Sequence, residues 1–438
     1  MPVCDLVGVE STSIKDEAMN DKHEARRKFI KYSVAGIAVA GAAGDLVAAP
    51  VSQPASKAVS LTTETDVLVV GGGTAGTIAA IQAARAGAKT VLVERGSQLG
   101  GTITTGGVSF PGLFDAWGKQ VIAGIGWELV KQAVELDGGK FPDFSKIPGR
   151  HWQNQLRVNP FVYALLAEEA CLNAGVTLAY YESPVSAKKT TEGWEVECVG
   201  PGTQRQVKCR QIIDCTGGAS VVGILNLPRL REKETQPGSL LFKLGGTYPV
   251  GRSGLDRLYV HGADSSTSVT LTQANLDGRK SLLGKVRGKK GKARLMHMQP
   301  ETAHRESYRI DGETLITVKD YTSGRVFDDA ICYAFYPVDL HTRSGVKPKP
   351  LAKGKVPTVP LSALVPKGST NIIVAGRCVS SDRLANSGLR VQAPCMAMGQ
   401  AAGAAAALAA QKQTTPLKVP LKEIQDLLTK HGAIIPKA

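Results

Sequence analysis

Three features predict an α/β fold: an apolar run that ends in glycines, a second apolar run that ends in glutamate, and a late apolar run followed by a glycine and a small-residue helix. The expected architecture is a Rossmann-like dinucleotide-binding domain, discontinuous in sequence, with an inserted mixed α+β substrate or cap domain. At 438 residues the chain can build two compact domains. Its 48 glycines and only 5% aromatics favour tight turns and close backbone packing.

The first unit begins with D-V-L-V-V at residues 66–70, a short β-branched run that predicts a buried parallel strand. Gly71, Gly73 and Gly76 then supply G-x-G-x-x-G. The first glycine allows the tight turn, the second lets the backbone approach a diphosphate, and the third brings the next helix close to the strand. Thr74 and Ala75 open that Ala-rich helix, whose N-terminal amides would face the phosphates. Ala80 and Ala84 share the helical face of Gly76. A second strand over residues 90–93 ends at Glu94, where a carboxylate can accept hydrogen bonds from ribose hydroxyls and disfavours a 2′-phosphate.

Further along, Arg95 leads to Gly100, Gly101 and Thr102, and the Gly-Gly pair resembles the flavoprotein loop beside the FAD ribose and pyrophosphate. Residues 211–218 read Q-I-I-D-C-T-G-G; Thr216-Gly217 resembles the A-T-G motif late in many FAD domains. Acids often follow that glycine, but here Gly218-Ala219-Ser220 stand instead. Residues 371–377 form an apolar strand ending in Gly376-Arg377, and after Gln392 a small-residue helix is expected over residues 395–410. This return resembles the C-terminal FAD motif, which would aim a helix N-terminus at the flavin. Over residues 62–432 the sequence resembles the bacterial FAD-dependent oxidoreductase family, related to larger glutathione-reductase-like flavoproteins. The segments R-E-S-Y-R-I-D-G (305–312), Asp320, F-D-D-A-I (327–331) and Y-P-V-D-L-H (336–341) share in that resemblance. It implies FAD as cofactor and leaves the substrate open.

The expected organisation is therefore a leader over residues 1–58, FAD-binding parts at 59–225 and 356–412, a cap at 226–355 and a C-terminal helix and tail at 413–438. Alternating strands are expected at 293–300 and 313–319, and a surface helix at 416–431 from the spacing of Leu421, Ile424, Leu427 and Leu428. No second G-x-G-x-x-G follows a strand in the cap, so electrons are expected to pass to oxygen, a quinone, a carrier protein or a second substrate. Flavin chemistry needs a proton acceptor and fixed positive charge near the reacting carbon. His341 is the candidate base, Arg305 and Arg390 the candidate anchors for a carboxylate or carbonyl, with Tyr336 and His304 in reserve. Structural roles compete: a strand-end histidine often serves only hydrogen bonding, Arg305 could pair with a carboxylate, and Arg390 could contact FAD itself. The activity expected is hydride exchange between a small polar substrate and FAD. A lyase, isomerase or hydratase without net redox change, or a redox-inert FAD-containing binding protein, are the alternatives.

A net charge of +15 is compatible with an acidic substrate, an anionic partner or a membrane surface. Nucleic acid is not expected, because the basic residues lack interleaved aromatics. Residues 279–294 hold eight basic residues and no acid, read as a solvated loop or alternatively as a docking surface. The eight cysteines form no C-x-x-C pair, which gives metal-centre readings no support; Cys198 and Cys209 are the nearest candidate disulfide. Finally, Arg26-Arg27 precedes a weakly apolar run at 33–44 that is too short for a permanent membrane span. It resembles a twin-arginine signal, cleaved after Ala49 or Ala58, for periplasmic export of a protein folded first in the cytoplasm.

Overall fold

The computed structural model describes residues 58–245, 255–292, 294–346 and 348–437. The twin-arginine segment lies outside the described residues, which belong to one compact unit, Lys57–Ala438. Along the chain, β1 (Val59–Val70), α1 (Thr74–Arg85) and β2 (Thr90–Glu94) come first, and α2 (Ile125–Leu136) and α3 (Pro160–Asn173) follow. Next are β3 (Thr177–Tyr180), β4 (Ser183–Lys189), β5 (Trp194–Gly200) and β6 (Thr203–Asp214). The cap carries α4 (Ser268–Gly288), and β7 (Ile372–Val374), α5 (Gln392–Gln411) and α6 (Leu421–Lys430) close the chain.

The main sheet runs in the order β3-β2-β1-β6-β5-β4, with β7 beside the C-terminal end of β6. Its core is parallel, and β4, β5 and β6 form an antiparallel meander on one side. The strand period of two separates the faces of β1. Val67 and Val69 join the cluster built with α1 and α5, whereas Leu68 and Val70 pack with Val196, Ile212 and Val374 on the other side. β1 is longer than the expected 66–70, because its Thr-rich first half pairs with residues 203–209 of β6.

α5 is buried along nearly its whole length and lies across α1. Its length and composition would suit a membrane span, but 94% of its apolar window is buried inside the protein, so it is a core helix. It starts at Gln392, ahead of the expected Cys395, because Pro394 is tolerated within a first helical turn. Gly399 and Gly403 make the crossing possible: a Cβ on them would stand 2.2 Å from the Ala75 carbonyl oxygen and 2.4 Å from that of Ala79. α6 confirms the tail helix, burying Ile424 and Leu428.

The cap has a small core of its own. Strands Gly238–Leu244, Asp256–Val260 and Leu295–Met298 form an antiparallel sheet against which α4 buries Ala274 and Leu282. Residues 313–319 are not a strand. The Thr317 hydroxyl accepts from the Asp320 amide at 3.2 Å and Asp320 accepts from the Thr317 amide at 3.0 Å, a capping box that starts helix Val318–Ser323 instead. Residues 279–288 are not a loop either. They continue α4, whose Thr267–Thr270 capping box offsets the helix cost of Gly284. Cys198 and Cys209 are free thiols on neighbouring strands: Cys198 faces Arg205 and Cys209 faces Trp194, which sets them about 13 Å apart along the ladder, beyond disulfide reach.

Gly403→Ala should destabilise the protein by roughly 1–3 kcal/mol, because overpacking at the α1 crossing outweighs the helix-propensity gain. A urea midpoint equal to or above that of the wild type would contradict this packing account.

Candidate active site

A cavity of about 1170 Å³ opens where the C-terminal ends of β1, β2, β6 and β7 meet α5 and the cap. That exceeds the roughly 300–1,000 Å³ of most single-ligand pockets, leaving room for a dinucleotide and a second molecule. Of the sequence-predicted cofactor residues, Gly71, Gly73, Thr74, Ala75, Glu94, Arg95, Gly101, Thr102, Thr216, Gly217, Gly376, Arg377 and Gln392 all line it. Gly76 and Gly100 stand behind the wall. A Cβ on Gly76 would sit 1.8 Å from the Gly71 carbonyl oxygen, so this contact sets the depth at which α1 enters. Gly100 receives the Thr74 hydroxyl at 3.2 Å and donates its amide to the Gly72 carbonyl at 2.8 Å, which ties the Gly-Gly loop to the first turn.

Gly71 has φ +96°, and a Cβ there would meet the Cys215 carbonyl at 2.6 Å, so only glycine serves the turn. Gly73 differs: a Cβ would find nothing within 4 Å, which shows bare backbone facing the cavity at the N-terminus of α1. This is the cradle a diphosphate requires. Glu94 accepts from the amides of Gly72 and Gly96, each at 2.7 Å. Burial pushes its carboxyl up while the two amides pull it back, and each oxygen keeps a second lone pair for a ribose hydroxyl.

The opposite wall is organised by Asp214, whose role sequence reasoning missed. It is fully buried; one oxygen accepts from the Thr216 amide at 3.0 Å and hydroxyl at 2.7 Å, the other from the amides of Val221 and Val222 at 2.8 and 3.1 Å. Arg377 crosses this turn, donating to the Gly217 carbonyl at 2.6 Å, the His304 carbonyl at 3.2 Å and the Ser265 hydroxyl at 3.2 Å. Burial lowers its pKa, and it forms no ion pair among the described residues. A half-buried guanidinium with no ion pair among the described residues, at the cavity wall, is matched to an anion from outside the protein. At the mouth of α5, Gln392 donates to the Val108 carbonyl at 2.7 Å and leaves its buried Oε1 without a protein partner. Together these residues fit FAD: Gly73 and Arg377 on the diphosphate side, Glu94 towards the ribose, and the first turn of α5 with Gln392 towards the flavin.

All four sequence-predicted catalytic residues, His341, Arg305, Arg390 and Tyr336, meet in the same cavity, together with His304. His341 Nε2 lies 3.1 Å from Asp339 Oδ2, while its Nδ1 is buried without a protein partner. Burial draws the His341 pKa below its usual value, against the opposing pull of Asp339. Asp339 was legible as part of Y-P-V-D-L-H, but its role was not. Burial works against its charge, yet the His341 hydrogen bond and the Arg390 and Arg305 cations hold it below the ordinary carboxylate range. Arg390 is partly committed, donating to the Asp339 carbonyl at 3.1 Å and standing 3.7 Å from Asp339 Oδ2. Gln236 takes the His341 amide at 3.1 Å and bonds the buried Glu306 at 2.9 Å, which in turn pairs with Arg383.

Arg305 is half-buried at the cavity wall. It donates to the Pro237 carbonyl and, at 3.0 Å, to the Ser239 hydroxyl, and forms no ion pair among the described residues. Burial, reinforced by Arg390, lowers its pKa. The guanidinium stands over the Tyr259 ring at 5.4 Å, with Arg257 at 5.2 Å from the same ring. Tyr336 accepts from Gln155 at 2.8 Å, and burial pushes its phenol up to about 12. Burial and Arg377 hold the His304 pKa down to about 4, so its imidazole is neutral and a weak proton acceptor at neutral pH.

This fold and cradle define an FAD-binding α/β flavoprotein. A family model described as FAD dependent oxidoreductase matches residues 66–285 and 271–428. The chain belongs to that family, is an enzyme of the oxidoreductase class, and uses FAD. Among solved structures it is similar to the anhydrotetracycline hydroxylase OxyS from Streptomyces rimosus, with 13% identity and a TM-score of 0.44 over 84% of this chain and 66% of that one. It is also similar to a geranylgeranyl bacteriochlorophyll reductase-like protein from Thermoplasma acidophilum, with 12% identity and a TM-score of 0.43 over 84% of each chain. A flavoprotein/dehydrogenase from Cytophaga hutchinsonii matches at 14% identity and a TM-score of 0.42, over 83% of this chain and 82% of that one.

Arg377→Met should raise the FAD dissociation constant roughly 10- to 150-fold, the usual worth of a hydrogen bond to a charged group. Titration of FAD into apoprotein, followed by fluorescence quenching, measures it; an unchanged constant would remove Arg377 from the diphosphate side.

Proposed function

We propose that the enzyme oxidises a small polar organic carboxylate by hydride exchange, with the electrons leaving to an external acceptor. The observation that carries this reading is Arg305, a half-buried guanidinium with no ion pair among the described residues, placed in one cavity with the His341–Asp339 pair and the dinucleotide cradle. Bound FAD supplies a two-electron hydride acceptor. The protein supplies the rest.

A carboxylate against Arg305 gains a fork of charge-assisted hydrogen bonds and offsets the burial of the cation. Arg390 has a different task from the one expected of an anchor: it holds Asp339 in its ionised form. Asp339 holds neutral His341 through Nε2, and the imidazole takes the proton from a substrate hydroxyl or amine as hydride departs. Tyr336 keeps its proton at neutral pH and donates towards the substrate oxygen. Gln236 fixes the His341 backbone and links it to the Glu306–Arg383 pair.

The pH dependence follows from signs. The His341 pKa is lowered, so the base is already neutral below pH 6.5, and activity falls only on further acidification. Burial and Arg390 lower the Arg305 pKa, but a guanidinium keeps its proton through the working range, so carboxylate affinity persists on the alkaline side. The kcat/KM profile should therefore rise along an acid limb below pH 6.5 and stay level above it. Anaerobic mixing with 2-hydroxy and 2-amino acids should bleach the flavin band near about 450 nm, whereas the matching amides and alcohols should not. Arg305→Met should cut kcat/KM by roughly two orders of magnitude. Equal bleaching by acids and their uncharged analogues would refute a carboxylate substrate.

A further inference from the structure

α4 carries a second apolar stripe that stays exposed among the described residues. At about 100° per residue, its buried residues Ala274, Gly278 and Leu282 fall on one side. Val269, Leu276 and Leu283 recur every seven residues roughly 150° away and are 77%, 54% and 48% exposed. Lys280 and Arg287 flank this outer stripe, both exposed. Past the helix the chain continues with Lys289, Lys290, Lys292 and Arg294, all exposed, and then Leu295 and Met296, 43% and 44% exposed on an edge strand. From residue 279 to 294 there is no acid to neutralise the eight basic residues.

We propose that this face of the cap docks on an anionic phospholipid bilayer. Aliphatic side chains spaced along one line of a helix, bordered by long basic side chains, suit a helix lying in the plane of a membrane interface. The aliphatic groups enter the headgroup–acyl boundary, and the Lys and Arg stems run along them while their charges reach lipid phosphates. A second copy of the chain fits this surface poorly: a helical zipper needs apolar residues at both seam positions, and with Val269, Leu276 and Leu283 at one seam the other holds Thr272 and Arg279. An apolar stripe is also more than a solvated basic face needs. Asp277 lies to one side of the helix, bonded to Gln273, and leaves the stripe unopposed. Leu271 on the inner side of α4 lines the active-site cavity, so docking places lipid on the reverse of a helix that borders the active site. This inference does not depend on the substrate reading.

The test is co-sedimentation of the full-length holoprotein with vesicles of phosphatidylcholine alone and of phosphatidylcholine with one third phosphatidylglycerol. The expected result is binding to the anionic vesicles only, released by salt. K280Q/R287Q should lower the partition coefficient roughly thirtyfold, at about fivefold per basic residue. L276S/L283S should lower it at least roughly tenfold. Both pairs are solvent-facing, and an unchanged flavin spectrum verifies the fold of each. Equal binding to neutral and anionic vesicles, or binding that survives in both double variants, would overturn the proposal. So would retention on a polyglutamate resin without vesicle binding, which would assign the face to an acidic protein.

Discussion

The closest approach in the nucleotide-binding half is between Gly76 and the Gly71 carbonyl, and no side chain larger than hydrogen fits between them. The consequence is geometric. α1 enters the sheet at the level of the strand ends, so its N-terminal amides and the bare backbone of Gly73 share one wall. α5 then crosses α1 through Gly399 and Gly403, which brings its own N-terminus to the same cavity. Two helix N-termini therefore converge on one space, and both favour negative charge there.

Half-buried cations extend that preference. Arg377 beside Gly217 and Arg305 in the cap are each held by carbonyls and hydroxyls, with no ion pair to either among the described residues. Burying such a charge is costly unless an anion arrives. The two line one cavity, and on the proposed reading Arg377 would face the cofactor diphosphate and Arg305 an anionic substrate. Between them, the Asp339–His341 pair supplies a neutral imidazole at working pH. In the same way that Asp214 organises the T-G turn, Glu306 organises the polar network behind His341.

The nucleotide half was legible because its residues are local: strand, glycines, helix and Glu94 lie within thirty residues, and each spacing has a direct steric or electrostatic cause. Asp214 was not, because a buried aspartate before C-T-G reads like any strand-end acid until its four amide and hydroxyl donors are seen. The catalytic cluster was partly legible. His341, Arg305, Arg390 and Tyr336 were chosen by chemistry and do share a cavity, but which arginine lacks a partner depends on Asp339, whose contacts are tertiary. The cap misled where capping boxes decided the outcome. Thr317-x-x-Asp320 started a helix in a run whose alternation suggested a strand, and Thr267-x-x-Thr270 carried α4 through glycines that suggested a loop.

The central claim is that this cavity holds an entire dinucleotide, adenosine end included. Native protein should be yellow, and acid extraction should release one FAD per chain. Recovery of FMN, or a colourless protein that takes up no added FAD, would contradict the account.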